Sequence, residues 1–155
     1  MQLRHALRAL SVAVLVAASA CSGTLLTGND GGRQADLTAA RLRWNSTRPA
    51  KYEYTLTISC FCAFSRPVTV TVDGTTVVSR TYADDGTPFT SSFAASFPTI
   101  DGLFDIVADA ISRKAATLES SYDPVTGIPL TVTIDYVVNA ADDEVSYRAT
   151  NFKLR

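Results

Sequence analysis

Between Lys51 and Cys62 the chain alternates without a break. Tyr52, Tyr54, Leu56, Ile58, Cys60 and Cys62 share one parity, while Lys51, Glu53, Thr55, Thr57 and Ser59 share the other. Side chains of a strand point alternately to its two faces, so this pattern specifies a strand with one buried and one wet face. Such a strand needs neighbours. Val68, Val70 and Val72 alternate with Thr69, Thr71 and Asp73 in a second strand, and Asp73-Gly74 signals a hairpin into a third over residues 76–82. Residues 115–122, 130–136 and 145–152 read as three more, with a turn at Asp123-Pro124-Val125-Thr126-Gly127.

Two helices precede these triplets. Asp36 is placed to cap a short helix to about Asn45, with Leu37, Ala40 and Trp44 on one face. Ile100, Leu103, Phe104, Val107, Ala108 and Ile111 follow helical spacing. Thr99 is placed as N-cap, Asp101 suits the positive helix start, and Arg113 and Lys114 suit its negative end. Residues 83–98 read as irregular. The order αβββ thus occurs twice, and residues 67–73 (PVTVTVD) match 129–135 (PLTVTID) at an offset of 62. The expected class is α+β, two αβββ units in tandem with helices packed on antiparallel sheet. The expected halves are 36–82 and 99–152.

The N-terminus reads differently. Arg4 and Arg8 precede an apolar run over residues 9–20, the layout of a secretory signal and too short for a spanning helix. Ala18-Ser19-Ala20 then stand directly before Cys21, which resembles the lipobox of bacterial lipoproteins, where the cysteine is acylated and becomes the first mature residue. Residues 1–20 are therefore expected to be a signal peptide, 21–35 a Gly-rich flexible tether, and 36–155 a single domain. The protein would lie outside the cytoplasm on a bacterial membrane, the outer one where there are two.

Removing residues 1–20 takes Arg4 and Arg8 from the 14 basic side chains, leaving 12 against 15 acidic ones. That balance argues against nucleic acid as a partner. His5 and Met1, the one histidine and one methionine, leave with the signal. A histidine-dependent triad or dyad and a histidine-bound zinc are thereby excluded from the mature chain. No cofactor is indicated, and neither a phosphate-binding glycine loop nor a Ser-x-x-Lys pair is present.

Several features together resemble a family of uncharacterised bacterial lipoproteins, the domain-of-unknown-function family numbered 6174. They are Trp44, Pro49, Tyr52 with Tyr54, Cys60-Phe61-Cys62, Leu103-Phe104-Asp105, Tyr122-Asp123-Pro124, Gly127 with Pro129, Ile134-Asp135, and Asp142-Asp143-Glu144 with Tyr147. The resemblance covers roughly residues 37–152. It implies architecture and location, and no chemistry. Ile128 stands where the family pattern has an aromatic residue.

Three sets of residues carry the functional expectations. Cys60 and Cys62 form a pair in an oxidising compartment. Their parity puts both sulfurs on the buried face, and closing a disulfide between them requires a bend at Phe61. A structural disulfide leads, with two buried thiols and a redox or metal role as alternatives. Phe89, Phe93 and Phe97 are spaced by four, either as plugs of the sheet edge or as an exposed partner-binding patch. Asp142-Asp143-Glu144, with Asp135 and Asp123, lacks the ligand spacing of a calcium loop and reads as a solvated hairpin. The expected function is a non-enzymatic binding or scaffolding domain of the cell envelope, contacting protein or glycan. The alternative is a thiol-disulfide or metal-handling lipoprotein built on Cys60 and Cys62.

Overall fold

The computed structural model describes residues 30–62, 66–138, 140 and 142–155. Its elements are α1 (Asp30–Thr47), β1 (Lys51–Cys60), β2 (Val68–Asp73), β3 (Thr76–Tyr82), a 3-10 turn at Ala94–Ser96, α2 (Ile100–Ser112), β4 (Thr117–Tyr122), β5 (Pro129–Asp135) and β6 (Val145–Leu154). The six strands make one antiparallel sheet in the order β3-β2-β1-β6-β5-β4. Both helices pack on the same face of it: Tyr52 of β1 meets the ring of Trp44 in α1 edge-on and accepts the N–H of Ile100 in α2. The class is α+β.

Alternation in the strands becomes the core. Tyr52, Tyr54, Leu56 and Ile58 of β1, Val68, Val70 and Val72 of β2, and Val132 and Ile134 of β5 are buried. They meet Leu37, Ala40 and Trp44 of α1 and Leu103, Phe104 and Val107 of α2. Each such side chain contributes about 1.5–3 kcal/mol by leaving water. Thr99 caps α2 as its spacing predicts, its hydroxyl accepting the Gly102 N–H at 3.1 Å.

The entry to α2 is fixed from the sheet. Arg80 Nε donates to the Phe97 carbonyl at 2.9 Å, the Tyr54 hydroxyl to the Pro98 carbonyl at 2.5 Å, and the Ile100 N–H to the Tyr52 oxygen at 3.1 Å. One side chain of β3 and two of β1 thus hold the backbone that leads into α2, and of the groups they bond the Ile100 N–H is one that a helix start leaves open. The helices are joined by Trp44 Nε1 and Arg48 on Asp101, and by Arg41 on Asp105 at 2.6 Å.

One expectation is corrected here, and the structure bears on a question the sequence leaves open. The segment 21–35 is not all tether, because residues 30–35 belong to α1. Leu37, Ala40 and Trp44 anchor that helix in the core, and each further residue then adds without a new nucleation cost. Asp30 suits the positive helix start and pairs with Arg33 at 3.2 Å. The signal region, Cys21 and the rest of the expected tether lie outside the described residues.

Nor are the two αβββ halves one unit repeated in space. Thr55 faces Thr69 across β1 and β2, yet Thr117 faces Asp135 across β4 and β5, instead of the Thr131 that the offset of 62 requires. Strand direction alternates across the whole sheet, so β1 and β4 run oppositely. A half-turn in the sheet plane restores the direction but places β4 on the other side of β5 from where β1 lies beside β2. The halves share element order, and the matching segments β2 and β5 are each second from an edge.

Candidate functional site

The helices cover one face of the sheet and leave the other open. The parity that buries Tyr52 through Ile58 turns Glu53, Thr55, Thr57 and Ser59 of β1 to this open face. Thr69 and Thr71 lie beside them on β2, opposite Thr55 and Glu53. Ser146 and Arg148 follow on β6, then Thr133 and Thr131 on β5. Hydroxyls dominate the surface, and some are bonded to one another: Ser121 to Thr131 at 2.6 Å, and Thr133 to Ser146 at 3.0 Å.

A bulge sets one part of it. The β1–β6 register shifts between Glu53 and Thr55, where Asn151 takes a left-handed backbone with φ 52°. The Asn151 amide reaches Thr55 Oγ1 at 3.4 Å, and Thr55 is only 8% exposed. Glu53 is held by Arg155 at 2.9 Å and Lys153 at 3.8 Å, so its charge is compensated locally. Arg148 stands exposed near the centre, opposite Thr57 on one side and Thr131 on the other. Such an array of short side chains, many β-branched and stiff at χ1, loses little rotamer freedom when a partner settles on it.

At the rim, where β1 ends, Cys60 and Cys62 form a disulfide. Their Cα atoms are 5.2 Å apart, closer than regular strand spacing allows, because the strand stops at Cys60 and the chain bends at Phe61. The bend breaks parity. Cys60 is half-buried against the core, but Cys62 is exposed, which corrects the expectation of two buried sulfurs. Phe61 is 89% exposed and borders a groove of about 380 Å³ lined also by Ser59, Thr133, Glu144 and Ser146.

The three phenylalanines divide between the two expectations. Phe89 and Phe97 are buried at the β3 edge, 4.9 Å apart ring to ring, with Tyr82 edge-on to Phe89. Phe93, at 48% exposure, is the one of the three that faces water. A turn of 3-10 helix and a bridge between Thr81 and Pro88 fold the segment back over the sheet edge.

The acidic residues do not converge. Asp123 staples its own turn, accepting from the Thr126 N–H, the Thr126 hydroxyl and the Val125 N–H, which hold its carboxyl below the usual range. Asp135 accepts from the Val137 N–H at 3.0 Å. Among the described residues no three His, Cys, Asp or Glu side chains are placed to hold a metal, and no helix is long and apolar enough to cross a membrane. Sequence reasoning missed Arg148 as a surface feature, although its alternation with the buried Ala149 carried the signal. Phe61 projects at the bend that the cysteine spacing demands.

The motif residues now have structural reasons. Trp44 and Tyr52 meet edge-on at 5.5 Å, Phe104 stacks on Tyr122, and Gly127 lies against the backbone of α1. Comparison with curated proteins and with solved structures gave no significant match. The family described as a family of unknown function, DUF6174, matches residues 36–154, nearly the whole of the described fold. The chain belongs to that family.

Proposed function

We propose that this protein is a membrane-anchored binding domain of the bacterial envelope, exported and held by a lipid on Cys21, whose open sheet face contacts another protein. It acts without catalysis. The observation that carries the reading is the hydroxyl-lined face: six strands wide, built from short side chains, with one exposed arginine near its middle. The lipobox-like run Ala18-Ser19-Ala20-Cys21 supports the anchor.

Photo-crosslinkers at Thr131 and Thr57, compared with one at Leu42 on the exposed side of α1, test the surface in the native envelope. Adducts to a defined protein from the sheet positions alone are the expected result; adducts from Leu42 alone would remove the face from consideration. Labelled fatty acid should enter the wild type and not Cys21→Ser.

The exposure of Cys62 favours a second reading, thiol–disulfide exchange at Cys60–Cys62. An incoming partner thiolate would attack the Cys62 sulfur and release the Cys60 thiolate. Equilibration against glutathione separates the two: a midpoint near the cellular poise favours exchange, and a disulfide that resists reduction favours binding.

A further inference from the structure

Chain direction puts the proposed anchor and the Cys60–Cys62 bend at the same end of the molecule. Trp44, late in α1, and Arg48, just beyond its end, contact Asp101 at the start of α2, and Arg41 contacts Asp105 one turn on. Gln34 and Leu37 lie with Ala108 around a common groove. The helices are therefore antiparallel, and Asp30 lies toward the α2 end at Ser112. That end also holds the β5–β6 connection, since Tyr136 packs under Arg113 at 3.9 Å and bonds Asp109. Ile134 and Cys60 both pair with Val145, so β1 finishes there as well.

Among the described residues, three large apolar side chains stand exposed at this end: Phe61 at 89%, Val138 at 68% and Val137 at 57%. Eight residues stand between Cys21 and Asp30, and those nine Cα steps span at most about 32 Å. The opposite end lies roughly another 27 Å away along α1. A lipid on Cys21 is thus joined to the domain at the Phe61 end.

We propose that this end rests on the bilayer, with Phe61 inserted at the lipid–water interface. The proposal depends on the anchor reading above and adds the orientation of the domain. One aromatic ring binds a membrane weakly by itself; the anchor makes its insertion an intramolecular event at high effective concentration. The disulfide ties the residues on either side of Phe61 together. Asp142, Asp143 and Glu144 flank the same end, and of the cations near them Arg113 already pairs with Asp109 and leaves Lys114, so the suitable surface is one of neutral headgroups. The open sheet face then stands upright, accessible to a partner beside the anchor.

The test uses the full acylated protein in phosphatidylcholine vesicles containing brominated acyl chains. Phe61→Trp and Val125→Trp place reporters at the two ends, Val125 being 75% exposed, over the constant background of buried Trp44. Emission from position 61 should be quenched at least about twofold more than from position 125. Replacing half of the lipid with phosphatidylglycerol should reduce the quenching. Equal quenching at the two positions, or more at 125, overturns the orientation, as does an increase with the anionic lipid. Quenching at neither position overturns it also and leaves Phe61 to a protein partner. Intact mass reports separately on the anchor: if cells leave Cys21 unacylated, a maleimide-linked diacyl lipid on that thiol supplies it, with Cys60 and Cys62 engaged in their disulfide. The same comparison of positions then decides.

Discussion

Gly127 sits directly against the carbonyl oxygen of Ala40: a Cβ built on it would come within 2.1 Å of that oxygen, and its φ is +79°. Glycine is therefore required twice over, by the turn and by the close approach to α1. Gly127→Ala should lower stability by about 2–4 kcal/mol in urea unfolding. Gly74, with φ +62° and open space around it, provides the comparison. Gly74→Ala carries only the backbone cost, about 1–2 kcal/mol. Equal losses at the two sites would mean that contact with α1 contributes nothing.

The tyrosines that hold the start of α2 set an alkaline limit. Burial pushes Tyr52 up to about 12, against the smaller opposing effect of the Ile100 N–H, and burial likewise raises Tyr54 well above its ordinary value. In the unfolded chain both ionise near 10. A raised folded value favours the protonated native state, so stability is full below about pH 10 and falls as pH rises toward 12. Unfolding midpoints across that range should decline, and Tyr54→Phe should flatten part of the decline. At neutral pH the same substitution leaves the Pro98 carbonyl without its donor, at about 1–3 kcal/mol. A flat alkaline profile in the wild type would contradict the burial of both hydroxyls.

Gly31 and Gly32 lie in the first turn of α1 with nothing within 4 Å of an added Cβ. Helical glycine costs about 0.5–1 kcal/mol relative to alanine. Replacing both with alanine should stabilise the domain by about 1–2 kcal/mol. No gain would mean that the helix does not extend to Asp30 in solution.

The disulfide closes a ring of three residues, so its entropic contribution is small, roughly 1.6 kcal/mol. With Cys62 exposed, little packing is added. Replacing Cys60 and Cys62 with alanine should cost about 1–2 kcal/mol. Intact-mass labelling of the oxidised protein should show maleimide only at Cys21, where that thiol is free. Rapid labelling at Cys60 and Cys62 without reductant would show that the bond does not form in solution.

Much of this arrangement was legible because periodicity reports burial directly. The alternation of residues 51–60 and the helical spacing from Ile100 placed β1 and α2, and Thr99 caps as its position implies. Parity failed at Cys62 because it holds only while the strand continues, and the strand stops at Cys60. The start of α1 was hidden because Gly31 and Gly32 resemble a linker, while the helix is held by Leu37, Ala40 and Trp44 further along. Phe89, Phe93 and Phe97 stayed ambiguous for a related reason: equal spacing implies one face only in a continuous helix, and this segment contains one 3-10 turn. Nothing local in 145–154 announces that β6 lies between β1 and β5. That position follows from pairing over long sequence separation.

The placement of β6 also governs how the domain can be assembled. Cys60 waits for Val145, some 85 residues later in the chain, and closing a loop of that length costs about 4 kcal/mol in entropy before any contact repays it. Until β6 arrives, β1 and β5 are raw edges, each showing a row of unpaired backbone groups to any passing strand. A fragment that stops short of Val145 keeps both edges open. Folding therefore has to be nearly all-or-none, and a chain not yet complete needs its edges shielded until the central strand has joined them.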